Sequence, residues 1–106
     1  MWECALDPIQ GHEQAGKRPC LVISTDLLGK GPSDLAIIVP ITRTTRTSFD
    51  VQINPPEGGL VAVSYALPYQ VRTVSRERMV NRWGHVRDAT LVAVIRAVRV
   101  LIRPPA

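Results

Sequence analysis

Only one stretch of this chain has a helical period, and it comes last. From Ala89 onward, Leu91, Val94, Ile95, Val98, Leu101 and Ile102 share one face of a 3.6-residue repeat, while Val92, Arg96, Arg99 and Arg103 share the other. Asp88 stands where it would cap the helix, and Pro104-Pro105 stops it. Before that point, proline, glycine and polar clusters cut the chain into strand-sized pieces: residues 2–6, 19–24, 35–41, 49–54, 60–64 and 69–74. The piece LAIIVPI at 35–41 is apolar on both faces and reads as central, whereas FDVQIN at 49–54 alternates and reads as half-buried. Five to seven short strands followed by one helix predict a mainly β fold: a small, half-open antiparallel barrel with a C-terminal α-helix. The 106 residues show no repeat or linker, so one domain over 1–106 is expected.

Charge is spread unevenly. Residues 1–42 hold three cations (Lys17, Arg18, Lys30) against five carboxylates, whereas residues 43–106 hold ten arginines against four. Arginine outnumbers lysine eleven to two. Guanidinium groups bind phosphate and carboxylate through two parallel hydrogen bonds and stack on bases. The bias therefore suits a nucleic acid or an acidic protein, and it equally fits a coding preference for arginine. At 45% hydrophobic and 21% charged residues, disorder is excluded. Cys4 and Cys20 form no CxxC pair and have no histidine at zinc-site spacing; lying in apolar pieces, they read as buried thiols, with a cross-strand disulfide left open. No apolar run approaches the ~20 residues of a membrane span, so the expectation is a cytoplasmic protein without membrane partners.

Two loop–strand junctions gather groups that could act on a phosphodiester. The first holds His12, Glu13, Gln14, Lys17 and Arg18; the second, after the third strand, holds Thr42, Arg43, Thr44, Thr45 and Arg46. Cutting RNA without a metal needs a base for the ribose 2′-hydroxyl, donors or cations for the phosphorane, and a proton for the leaving 5′-oxygen. Taken alone, residues 11–19 read first as a solvated hairpin loop with a surface pair such as Glu13–Arg18. Thr42 alone reads as a β-branched strand end, and Gln70 as an exposed strand residue.

The order of motifs adds what the residue types cannot. GHEQAGKRPCLVIS resembles the G-x-E-Q-x-G-x-R-P-x-L-V-I-S signature of the MazF/PemK toxins, and IIVPIT, GGL and YQVRTVSRER follow in that family's order. The resemblance covers nearly the whole chain. It implies an SH3-like barrel, a homodimer, and sequence-specific cleavage of single-stranded RNA to a 2′,3′-cyclic phosphate and a 5′-hydroxyl, with neither metal nor cofactor. It also implies a small antitoxin whose acidic, flexible tail covers the RNA groove. By position, Arg18 and Thr42 match the catalytic residues. Glu13 and Gln14 match the loop that contacts RNA or antitoxin, and Gln70 matches a residue lining the groove. Arg43 and Arg46 are expected on RNA phosphates. A guanidinium stays protonated in proteins, so Arg18 is read as transition-state charge and proton donor, and the base is left among Glu13, His12 and water.

Three positions depart from the family pattern. Met1 lies directly at the first strand, Arg43 stands where serine is common, and Ser75 stands where aspartate often follows Q-V-R-T. Two other readings use the same fold: a non-catalytic gyrase poison of CcdB type, and an SH3-like module that holds RNA or peptide without cutting. The first of these needs neither Arg18 nor Thr42, so their presence together counts against it.

Overall fold

The computed structural model describes residues 1–6, 17–29 and 34–105. His12, Glu13 and Gln14 therefore lie outside the described residues. Among the described residues, seven strands precede one α-helix: β1 (Trp2–Ala5), β2 (Lys17–Val22), β3 (Leu35–Thr42), β4 (Val51–Ile53), β5 (Ser64–Ala66), β6 (Arg72–Ser75), β7 (Met79–Arg82) and α1 (Asp88–Leu101). All pairings are antiparallel, in the order β4-β5-β3-β2-β1-β7, with β6 also paired to β3.

β3 is the strand that joins everything. Its first half pairs with β6 from Leu35↔Ser75 to Ile38↔Arg72, and its last two residues pair with β5 as Ile41↔Ala66 and Thr42↔Tyr65. Pro40 sits at the changeover. A proline has no amide hydrogen to give a ladder, so it is tolerated where the partner strand changes; its carbonyl accepts from the Leu67 amide at 3.0 Å. The strands β6 and β7 are linked by the 3₁₀ turn Arg76–Arg78, yet among the described residues no ladder joins them. The sheet curls without closing, which is the half-open barrel expected.

Strand alternation sorts the apolar residues to two faces. Cys4, Leu6, Cys20, Ala36, Ile38 and Val74 form one cluster, joined by Trp2, Val22 and Met79. Met1, Leu21, Val39, Ile41, Ile53, Leu60 and Ala66 form the other, covered by Val94 and Val98 of α1. Cys4 and Cys20 are both fully buried, but as a disulfide and not as the free thiols favoured from sequence. Cys4 pairs with Arg18, so Cys20 is its diagonal neighbour on the same face; the Cα atoms are 6.3 Å apart, within disulfide reach.

The helix departs from expectation at both ends. Residue Asp88 is its first residue and caps nothing: Arg87 occupies the cap position without a side-chain bond. The acceptor comes from another segment. Glu57 accepts from the Arg87 amide at 3.0 Å and from Arg87 Nε at 3.2 Å, placing a carboxylate at the positive end of the helix dipole. Burial would raise the Glu57 carboxyl, but bonds from Thr90 and Arg87, with the Arg87 charge, hold it below its ordinary value. At the other end α1 stops at Leu101, and Ile102 has extended backbone and 64% exposure, so it leaves the core face its spacing suggested. Two strand expectations also shift. Of residues 60–64 only Ser64 is in a strand, and Pro68–Gln70 is a 3₁₀ turn packed against α1, so β6 begins only at Arg72. β7 was not anticipated, because MVNR lacks a clean alternation.

The loop after β3 is tied down by one side chain. Asp50 accepts from the Arg46 amide at 2.6 Å, the Thr47 amide at 3.1 Å, the Thr47 hydroxyl at 2.8 Å and the Thr45 hydroxyl at 3.2 Å. Burial acts to raise this carboxyl, but the four hydrogen bonds outweigh it and its pKa is lowered. A lowered carboxylate pKa stabilises the fold above the unfolded value of about 3.9, and that stabilisation is lost as pH falls through the folded value. Hydrogen exchange measured by NMR should therefore show Arg46 and Thr47 amides protected between pH 5 and 7. Asp50→Ala should cut that protection about 3- to 10-fold, the scale of a solvent-screened hydrogen bond. Equal protection in the variant would mean the loop is held by something else.

Candidate active site

The end of the sheet where β3 stops and β2 starts opens into a groove of about 850 Å³. Four segments supply its wall. β2 gives Arg18 and Pro19, the end of β3 gives Ile41, Thr42 and the following Arg43 and Arg46, residues 59–62 and Ser64 form a third side, and Arg82 with Trp83 a fourth. The β2–β3 register explains the first pairing. Cys20 faces Pro40 and Leu21 faces Val39, and continuing that count by two residues sets Arg18 opposite Thr42. Two positions 24 residues apart in the chain meet because the ladder between them is antiparallel.

The floor is apolar, from buried Ile41 and Leu60, and the buried Ser64 hydroxyl is satisfied by the Ala62 carbonyl at 3.0 Å. The rim is cationic: Arg18, Arg43, Arg46 and Arg82 all line it. Among the described residues that line the groove there is no carboxylate and no imidazole. Such a surface favours an anion through Coulomb attraction that its low-dielectric floor strengthens. Thr42 Oγ1 accepts from the Thr44 amide at 3.4 Å, which uses a lone pair and leaves the hydroxyl proton free to donate. Asp50, by fixing the Arg46 and Thr47 backbone, orients the loop that carries Arg43 and Arg46.

Thus Arg18, Thr42, Arg43 and Arg46 come together. Gln70 does not line this groove: it is exposed on the 3₁₀ turn that packs against α1. Sequence reasoning passed over Arg82, Trp83 and the wall at 59–62. The Gly58-Gly59 turn was visible, but its partner was not. Gly59 has φ 79°, and a Cβ there would lie 2.4 Å from the Trp83 carbonyl oxygen. Only glycine allows the turn to press on residues 83–85, where the Gly58 amide also bonds the His85 carbonyl at 3.0 Å. Among the described residues no three His, Cys, Asp or Glu side chains gather as a metal site, and no helix is long and apolar enough to cross a membrane.

Comparison with known proteins places this geometry. The family model described as "PemK-like, MazF-like toxin of type II toxin-antitoxin system" matches residues 1–102. The chain is 32% identical over 98 residues to Endoribonuclease EndoA of Bacillus subtilis, covering 90% of this chain and 84% of that protein. It is 29% identical over 108 residues to Endoribonuclease MazF9 of Mycobacterium tuberculosis, covering 93% and 89%. The crystal structure of MazF from Deinococcus radiodurans superposes with a TM-score of 0.74 at 26% identity, covering 94% of this chain and 89% of that one. By the extent of the family match and the identity to EndoA, the chain belongs to the PemK-like, MazF-like toxins of type II toxin–antitoxin systems.

Proposed function

We propose that this chain, as one domain over residues 1–106, is a metal-independent endoribonuclease toxin that cuts single-stranded RNA in the cytoplasm. The observation that carries the reading is the convergence of Arg18 and Thr42, from separate strands, on one cationic groove. In the reaction the ribose 2′-oxygen attacks the adjacent phosphorus, the 5′-oxygen leaves, and the products are a 2′,3′-cyclic phosphate and a 5′-hydroxyl. Negative charge builds on the non-bridging oxygens as the phosphorane forms. Arg18 supplies a fixed positive charge there and an N–H for the leaving oxygen. The Thr42 hydroxyl, whose proton is free to donate, bonds a non-bridging oxygen. Arg43 and Arg46 hold flanking phosphates, and Glu13, Gln14 and Gln70 contact RNA further along. The base is Glu13, His12 or water.

Two partners complete the reading. The four guanidiniums of the groove suit the acidic tail of a small antitoxin, which would occupy the site by charge complementarity. A second copy of the chain would cover apolar surface that one protomer leaves open: Val80 is 44% exposed, Val92 47% and Val100 64%.

The catalytic assignment is tested by cleavage of a single-stranded RNA. Arg18→Ala should abolish detectable cutting while the circular dichroism spectrum is kept. Arg18→Lys should stay poor, since an ammonium loses the planar fork. Thr42→Ala should slow cleavage roughly 10²–10³-fold, the usual cost of one transition-state donor, and Thr42→Ser should keep much of the rate. Cutting by Arg18→Ala at the wild-type rate would turn the groove into a binding site only. For assembly, light scattering at micromolar concentration in modest salt should give about twice the 11.7 kDa chain mass; a single-chain mass would contradict the dimer.

A further inference from the structure

One side chain of the groove has no part in the chemistry above. Trp83 directly follows β7, and it is the only aromatic among the described residues lining the groove. Its side chain is not packed away: the residue is 39% exposed, and Val61, which lines the same groove, is 83% exposed. An indole and an exposed valine on one groove offer apolar surface to a flat occupant.

The backbone beneath the indole is fixed from two sides. The Trp83 amide donates to the Met1 carbonyl at 2.9 Å, and the Met1 amine donates to the Gly84 carbonyl at 2.8 Å. On the other side Gly59 lies so close that its missing Cβ would be 2.4 Å from the Trp83 carbonyl oxygen and 3.1 Å from Trp83 Cβ. The backbone that carries the ring is therefore held in place, so seating a partner there costs little main-chain freedom. Around it stand the charges an oligonucleotide requires, with Arg18, Arg43, Arg46 and Arg82 on the rim of the same groove.

We propose that Trp83, with Val61 on the same groove, is a nucleobase-stacking subsite that seats an unpaired base of single-stranded RNA while the arginines of the rim hold its phosphates. The subsite rests on the RNA-cleaving reading of the groove. It adds a specificity element, because only a splayed, unpaired base offers a free face to the indole, so duplex RNA is excluded at this position. Trp83 is here a binding residue, and it takes no part in bond making.

The test uses the full-length protein, a fluorescein-labelled 2′-O-methyl decanucleotide of mixed sequence, and a decamer of the same length in which every base is replaced by an abasic sugar. Neither probe has the 2′-hydroxyl needed for cleavage. By anisotropy, Trp83→Ala should bind the base-bearing decamer about 5- to 100-fold more weakly than wild type, the range of one base–aromatic stack. Trp83→Phe should stay within a few fold, and all three proteins should bind the abasic decamer alike. As a check that needs no substitution at Trp83, a Trp2→Phe protein should show indole fluorescence quenched by the base-bearing decamer and not by the abasic one. Equal affinity of wild type and Trp83→Ala for the base-bearing decamer, or equal quenching by both decamers, would overturn the subsite. If wild type still cuts RNA in that case, the enzyme reading stands, and the ledge belongs to an apolar side chain of the antitoxin. If wild type cuts no RNA but the base-dependent binding holds, the subsite stands and the enzyme reading falls.

Discussion

The antiparallel ladder between β2 and β3 is the constraint on which the rest of the structure depends. Its register, Cys20↔Pro40 to Val22↔Ile38, sends alternate residues to two apolar clusters, so a slip of one residue would turn both inside out. The same register brings the start of β2 and the end of β3 to one edge of the sheet. There the ladder runs out and polar side chains replace apolar ones, so Arg18 and Thr42 meet where the core ends. The site is a by-product of strand pairing, held by the most buried part of the molecule. Pro40 contributes by releasing β3 from one set of neighbours and handing its last residues to β5.

Six of the ten arginines that made the second half of the chain so basic fall into a structural and a groove-lining group. Arg87 is spent on Glu57 at the helix start, Arg76 pairs with Asp34 at 3.6 Å, and Arg78 donates to the Ala5 and Leu6 carbonyls at 3.1 and 3.2 Å. Arg43, Arg46 and Arg82 line the groove with Arg18, and Arg82 also bonds the His85 ring. Carboxylates follow the same division: Asp50 and Glu57 bind backbone amides of their surroundings and stay off the groove wall. The local field is therefore much more positive than the net charge of +4 conveys.

Much of the fold was legible because it rests on local pattern. LAIIVPI has no polar face, so it had to be central, and the heptad-like spacing from Leu91 to Val98 had to be a helix against a core. What was not legible depends on distant partners. The helix cap is Glu57, thirty residues away, and the nearby Asp88 offered a plausible local substitute. The turn that begins at Pro68 takes the first residues of the run at 69–74, and Cys4 and Cys20 meet only through a diagonal that no spacing reveals. For the site, Arg18 and Thr42 were visible through a motif, not through physics, since an exposed arginine and a strand-end threonine are ordinary residues. Trp83 had no motif at all, and its place on the wall follows from contacts with Met1 and Gly59, both distant in sequence.

If the groove works through fixed charge and hydrogen bonds on the phosphorane, its chemistry shows in the ends it leaves. The direct measurement is to incubate the purified protein with single-stranded RNA in EDTA and to map both termini of the fragments. Cutting should proceed at the full rate in EDTA, with a 2′,3′-cyclic phosphate on one fragment and a 5′-hydroxyl on the other. Cutting that appears only when a divalent metal is restored, or fragments that carry a 5′-phosphate, would contradict it.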